Sequence, residues 1–311
     1  MALKRISQLP AFNGVAVSQT ATLDLPIGPR YHTVWLKFDN TAHDDIRAAT
    51  AITQIRVKVN GKVQRTMSPA ELIALNALYD EPASTTMGAA ASAKYSGFNN
   101  TAATELVDVQ MVPIFFAEPW RPNAQVSEAL AWSTGDLTSF QIEVDIAAGA
   151  GPALTAFAEV DNAVVTTNGL QKSQPMGLIT KWSRFTVPCI NGILNYTSIP
   201  RRDVLLQYSI FNTAACQVSN VQVKADNYEW RNLSAAENAA VLRARGMNPV
   251  IAKTATAAAV IGGRYDLVFD YDDLPPGAGL RADGIQDLQF NITADAQASL
   301  TTILQTLGRP D

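Results

Sequence analysis

Residues 55–74 read IRVKVNGKVQRTMSPAELIA, and residues 221–240 read VQVKADNYEWRNLSAAENAA. The two stretches align without a gap at an offset of 166 residues (221 − 55), and seven of the twenty positions are identical: Val57/Val223, Lys58/Lys224, Arg65/Arg231, Ser68/Ser234, Ala70/Ala236, Glu71/Glu237 and Ala74/Ala240. Ordinary composition gives roughly one or two matches in such a window. Each copy opens with period-two alternation, Ile55-Arg-Val57-Lys-Val59 and Val221-Gln-Val223-Lys-Ala225, which puts apolar residues on one face of a strand and charged or polar residues mainly on the other. Asn60-Gly61 and Asp226-Asn227 follow, pairs that tolerate positive φ and so suit the tight turn of a hairpin. A second short strand leads to Ser68 and Ser234, each with a glutamate three residues later. This spacing predicts a capping box, in which the serine oxygen takes a helix N–H and the glutamate reaches back to the cap's own N–H. Pro69 suits the first helical position. Met67 and Leu72 fit a hydrophobic staple in the first copy, and Asn238 removes that option from the second.

Outward from the repeat, the pattern is mostly strand. Strands are expected near 20–25, 31–38, 52–59 and 62–67, then a helix over 69–79, a small-residue loop over 81–104, and strands at 106–117, 129–133 and 138–146. The remainder reads as strands near 154–159, 182–187, 204–211, 217–225 and 228–232, a helix over 235–245, and strands at 264–271, 285–293 and 299–307. The last of these also fits a helical face through Leu300, Ile303, Leu304 and Leu307. Residues 161–181 are expected to form a second long loop. A flexible run, Ala147-Ala-Gly-Ala-Gly-Pro-Ala153, marks the junction of the halves. The expected fold is all-β: two tandem eight-stranded jelly-roll β-sandwiches, each with one short helix, over residues 1–149 and 150–311. A parallel α/β fold needs a helix after nearly every strand.

Composition agrees with two buried cores. The chain has 311 residues, 47% hydrophobic and only 17% charged, more than one core usually supports. The net charge is −4, from 24 basic and 28 acidic residues, without a polybasic run, which argues against direct nucleic-acid binding. Met1–Pro10 has no signal-peptide pattern. The two cysteines, Cys189 and Cys216, read as free buried thiols.

Few residues carry chemistry. His32 lies within a strand and His43 beside Asp44 and Asp45, neither at metal-ligand spacing. Asp270, Asp272 and Asp273 follow a strand and are the candidates for a structural Ca²⁺, although Leu274 and Pro275 break the EF-hand pattern. No other cofactor is expected. A glycan-binding attachment protein of the phage-spike type would use tryptophans such as Trp120 and Trp132. A glycoside-active enzyme would need two carboxylates in one cleft, for which Glu118 and Glu143 are the nominees.

The chain resembles the major coat proteins of corticoviruses, icosahedral bacteriophages that carry a membrane beneath their shell. More distantly it is similar to the double jelly-roll coat proteins of tectiviruses and to the adenovirus hexon. The resemblance rests on Leu25-Pro26-Ile27-Gly28 with Tyr31, the hairpin Ile55–Gly61, the junction Gly151-Pro152-Ala153-Leu154, and Trp230-Arg231 before the second capped helix, in that order. It implies a non-enzymatic major capsid protein that forms homotrimers with a near-hexagonal footprint. It further implies contacts with neighbouring capsid trimers, a vertex protein and the underlying viral membrane or its proteins, in a virion assembled in the host bacterial cytoplasm. By the same resemblance Met1–Asn13 faces the interior and touches membrane or neighbours. Drift between the copies, as at Asn238, would let the two domains make different neighbour contacts.

Overall fold

A computed structural model describes residues 3–39, 51–80, 94–96, 98–99, 110–147, 152–167, 170–250, 263–270 and 278–311. The chain forms two compact units, one of residues 1–76, 93–181 and 309–311, the other of residues 77–92 and 182–308.

The first unit contains β1 (Arg5–Gln8), β2 (Thr20–Asp24), β3 (Arg30–Asp39), β4 (Ile52–Val59), β5 (Lys62–Met67), α1 (Pro69–Ala77), β6 (Phe98–Asn99), β7 (Gln110–Phe115), α2 (Ala124–Ser127), β8 (Trp132–Ser133), β9 (Phe140–Ile146), β10 (Ala153–Asp161) and the hairpin β11 (Val164–Thr167) with β12 (Leu170–Ser173). One sheet runs β1-β10-β3-β7-β6, with β8 beside β3, and the other contains β5-β4-β9-β2. Alternation along β9 buries Phe140, Ile142, Val144 and Ile146, the period-two pattern of a strand with one face on a core. Tyr31, Phe116, Trp132 and Phe140 cluster there, with Phe116 and Trp132 centroids 4.7 Å apart and Tyr31 edge-on to Phe140 at 5.2 Å.

The second unit contains most of β13 (Ile179–Cys189), then β14 (Gly192–Tyr196), β15 (Val204–Phe211), β16 (Val218–Ala225), β17 (Tyr228–Ser234), α3 (Ala235–Ala244), β18 (Arg264–Val268), β19 (Leu280–Arg281), β20 (Leu288–Ala294) and β21 (Ala298–Gly308). Its strands lie in the orders β13-β21-β15-β18 and β14-β20-β16-β17. The core draws on both sheets: Leu205, Tyr208, Tyr265 and Leu304 from one, Val221, Val223, Phe290 and Ile292 from the other. The first unit has the same orders, β1-β10-β3-β7 and β2-β9-β4-β5. In both, the first strand lies beside the last, which is the jelly-roll arrangement. The order pairs β1 with β13, β2 with β14, β3 with β15, β4 with β16, β5 with β17, α1 with α3, β7 with β18, β9 with β20 and β10 with β21. The fold is two jelly rolls in tandem.

Several expectations need correction. The contacts divide the chain after Lys181, not at 149/150. The strand expected at 154–159 closes the first sandwich, because β10 pairs with β3 from Ala153↔Asp39 to Asp161↔Arg30. The segment 161–181 holds a hairpin and the start of β13. By contrast the strand expected at 299–307 is present, and the helical alternative falls away: β21 pairs with β15 from Val204↔Leu307 to Phe211↔Thr301. The strand at 129–133 shrinks to Trp132–Ser133, with a helical turn before it capped by the Asn123 side chain, which accepts the Val126 N–H at 2.9 Å. Residues 106–109 and most of the 81–104 loop lie outside the described residues.

Candidate functional site

The duplicated segment keeps its detailed geometry. Asn60 and Gly61 have φ of 49° and 77°, and Asp226 and Asn227 have 49° and 65°, so both turns use the left-handed conformations that these residues tolerate. Each turn is pinned to the residue preceding the neighbouring strand. The Asn60 N–H donates to the Ser139 carbonyl at 2.9 Å, and the Asp226 N–H to the Asp287 carbonyl at 2.8 Å. Side-chain oxygens complete the pin: Asn60 accepts the Thr138 N–H and Asp226 the Asp287 N–H, each at 2.8 Å. Both predicted capping boxes form; the Ser68 and Ser234 N–H groups donate to Glu71 and Glu237 at 2.8 Å, and the Glu71 and Glu237 N–H groups donate to the serine hydroxyls at 3.2 and 3.3 Å. Register shifts fall at matched places, Val57/Lys58 and Val223/Lys224, and again at Ile52/Gln54 and Val218/Asn220. Bulges of this kind re-aim side chains. At the second of them the Thr53 and Ser219 hydroxyls donate to the carbonyls of Asp145 and Thr293, both at 3.3 Å.

The shared arginine clamps β7 and β18. Arg65 Nη1 donates to the carbonyl of Phe115, the last residue of β7, at 2.6 Å, and Arg231 Nη1 to that of Val268, the last residue of β18, at 3.2 Å. A helix asparagine reaches two residues further back in each unit: Asn76 Nδ2 donates to the Pro113 carbonyl at 3.0 Å and Asn238 Nδ2 to the Asp266 carbonyl at 2.9 Å. Asn238 is buried and also accepts a hydrogen bond from Arg231. It therefore serves its own sandwich and does not present a different surface to neighbours. Leu72, its positional equivalent, is buried without polar work, because in α1 the clamp has moved one turn along the helix to Asn76.

Arg65 is fully buried against the rings of Phe116 and Trp132, its guanidinium carbon 5.2 and 4.7 Å from their centroids. Nε donates to the Thr180 carbonyl at 2.8 Å, and Nη2 to the Thr180 hydroxyl. Burial pushes its pKa down to about 9, opposed by the charge of Glu118. Arg231 is only half-buried.

The sharpest divergence between the copies lies at the matched bulges of β3 and β15, whose extra residues are His32 and Leu206. Their carbonyls do the same work. His32 accepts the Phe116 and Ala117 N–H groups at 2.8 and 3.0 Å, and Leu206 accepts those of Phe269 and Asp270 at 2.9 and 3.2 Å. The side chains differ in kind. Arg30, His32 and Asp161 form an ion cluster: Arg30 Nη2 donates to Asp161 at 2.5 Å and to Glu128 at 3.2 Å, and His32 Nε2 lies 2.9 Å from Asp161 Oδ2. Lys4 Nζ closes the cluster 3.1 Å from Glu128 and 3.6 Å from Glu159. Burial lowers the His32 pKa against the raising effect of Asp161. Burial raises that of Asp161, but the hydrogen bonds from Arg30 and His32 outweigh it and hold the carboxyl below its ordinary range. The equivalent positions in the second unit are Val204, Leu206 and Leu307.

His32, Glu128 and Asp161 are the one group of metal-type ligands gathered among the described residues. Arg30 already donates to both carboxylates there, so the charge a cation would neutralise is met by the guanidinium. Sequence reading missed this cluster because its members come from β3, β10 and the 124–131 turn. The signal was a charge on either side of Tyr31 in a strand whose counterpart is aliphatic.

Asp270 is buried at the end of β18, and Asp272 and Asp273 lie outside the described residues, as does His43. Glu118 and Glu143 belong to separate pairs, with Arg121 at 3.0 Å and with Arg56 at 2.9 Å. Trp132 is fully buried in the core, and Trp120 packs against Tyr95 and Phe115 at 5.9 and 5.8 Å, so neither is presented as an open sugar platform. Cys189 and Cys216 are free and buried; burial pushes the Cys189 thiol up to about 11.

Two family models match, the N-terminal domain of viral coat protein P2 over residues 6–161 and its C-terminal domain over residues 179–310. The first ends on the last residue of β10 and the second begins on the first residue of β13. Among solved structures, the major capsid protein P2 of bacteriophage PM2 is 21% identical, with a TM-score of 0.73 over 98% of this chain and 97% of that one. The PBCV-1 virus capsid gives 9% identity and a TM-score of 0.64 over 99% and 94%. Sulfolobus Turreted Icosahedral Virus gives 11% and 0.61 over 98% and 90%. Among proteins of curated function, none matches the chain by sequence.

Proposed function

The chain belongs to the viral coat protein P2 family and is a structural capsid protein, not an enzyme, and from that premise we propose that it assembles as a homotrimer whose six sandwiches fill one near-hexagonal position of an icosahedral shell. The observation that carries this reading is the duplication itself: two sandwiches with the same strand orders, bulges, pins and caps, but different outward residues. Three such chains present six similar wedges, which lets a threefold object meet six neighbours. In this reading the shell lies over an internal membrane, contacts a distinct vertex protein, and is built in the host cytoplasm. The net charge of −4 and the lack of a polybasic run suit a shell that does not touch the genome. Light scattering on the purified protein tests the trimer: the expected mass is about 100 kDa, three copies of 33.4 kDa, and a monomer at every concentration contradicts it.

A further inference from the structure

The equivalent edge strands β5 and β17 differ in what covers them. β5 lies beside β13, through contacts of Thr180, one of the β13 residues that belong to the first unit. The Asp311 N–H also donates to Gln64 at 3.4 Å. Gln64 is accordingly 3% exposed, whereas its equivalent Trp230 is 44% exposed and Tyr228, two residues before it, is 72% exposed. Among the described residues β17 is the last strand of its sheet. An open edge with bare backbone groups and exposed aromatic rings is a template for another strand.

β1 offers the matching half. It is the counterpart of β13, the strand that covers β5, and it too ends its sheet, with β10 on one side only. Leu3 at 91% and Ile6 at 73% are, with Tyr228, the three most exposed large apolar side chains of the described residues. Arg5 lies between them, and Glu229 lies between Tyr228 and Trp230, so each edge sets a charged side chain, of opposite sign, between its exposed apolar ones.

We infer that the N-terminal segment Leu3–Ile6 of a second copy of this chain docks along β17, adding to its open edge as β13 adds to β5. This rests on the trimer reading: each chain offers one β1 and one β17, so three such contacts between copies close a threefold ring. Burying Tyr228 and Trp230 in this way removes the exposed edge that would otherwise invite uncontrolled pairing.

A Leu3→Cys/Tyr228→Cys double variant treated with a short bismaleimide tests the pairing, since both positions are exposed and the native cysteines are buried. The expected result is a ladder of two- and three-chain products in denaturing electrophoresis, absent from either single variant. Trimer mass in solution without the ladder overturns the docking and leaves the trimer standing. Monomer mass without it overturns both, and a crosslink confined within one chain overturns the docking. Leu3→Asp/Ile6→Asp is expected to raise the concentration at which the trimer dissociates more than tenfold; an unchanged value counts against the segment.

Discussion

The two sandwiches solve the same backbone problem with different side-chain chemistry. On the first, Arg56 bridges Glu143 at 2.9 Å and Asp145 at 2.6 Å, while the matched pair on the second is neutral, Asn291 donating to Gln222 at 2.8 Å. The Arg30–His32–Asp161 cluster is answered by Val204, Leu206 and Leu307. The exchange also runs the other way. A fully buried Arg264–Asp266 pair at 2.6 Å, with Ser209 donating to Asp266 at 2.6 Å, stands where the first unit has Met111, Pro113 and Trp35. Turns, caps and bulges persist because they satisfy backbone groups that any jelly roll must satisfy. Ion clusters drift because an apolar set of similar volume holds the same strands.

The two shared arginines allow the largest test of that difference. Arg65→Ala leaves the Phe115 and Thr180 carbonyls buried without their donor and is expected to cost about 4 kcal/mol, against about 1 kcal/mol for the half-buried Arg231→Ala, read as shifts in denaturant midpoint. Equal costs would break the claim that the first clamp is the structural one.

Exchanging the helix residues comes next. Leu72→Asn places an amide in an apolar site, and Asn238→Leu strips the Asp266 carbonyl and Arg231 of their partner. Each is expected to lose about 2–3 kcal/mol. A neutral Asn238→Leu would mean that its hydrogen bonds are incidental.

The ion cluster separates the sandwiches by pH. His32 has its pKa lowered in the fold, so the unfolded chain takes up the proton first and stability falls as pH drops below ~6.5, levelling off once the folded form protonates. Asp161 has its pKa lowered too; its contribution is present above ~3.9 and is lost as pH falls through the folded value. The protection of amides in β1 and β10, measured relative to the intrinsic exchange rate at each pH, should therefore fall between pH 7 and 5 while that of β13 and β21 holds. The triple variant Arg30→Val/His32→Leu/Asp161→Leu, which copies the second sandwich, should abolish that acid response and change stability by about +1 to +2 kcal/mol at pH 7. Retained acid sensitivity would locate the response elsewhere.

The turns carry the smallest effect. Asn60→Ala and Asp226→Ala each lose a positive-φ residue and a side-chain acceptor, for about 1 kcal/mol apiece. Here the two units are expected to agree, because this feature is common to both.

What was legible in the sequence was local. Alternation in 55–59 and 221–225, the Asn60-Gly61 turn and the Ser-x-x-Glu caps are set by neighbours within a few residues, and the structure has them all. The division of the chain was not legible, since Ala147–Ala153 has the composition of a linker but β10 beyond it is held by β3, more than a hundred residues away in sequence. Short strands such as β1 and β14 carry too few alternating residues to announce themselves. The ion cluster depends on residues from three separate segments. Asn238 looked like a loss of the staple, and its use became visible only when β18 was placed against α3.

Images of the purified oligomer test the central claim most directly. Three duplicated chains predict a threefold particle with six similar lobes in a near-hexagonal outline. Isolated two-lobed particles, or a ring with any other number of lobes, would contradict the view that the duplication lets three chains fill a six-neighbour position.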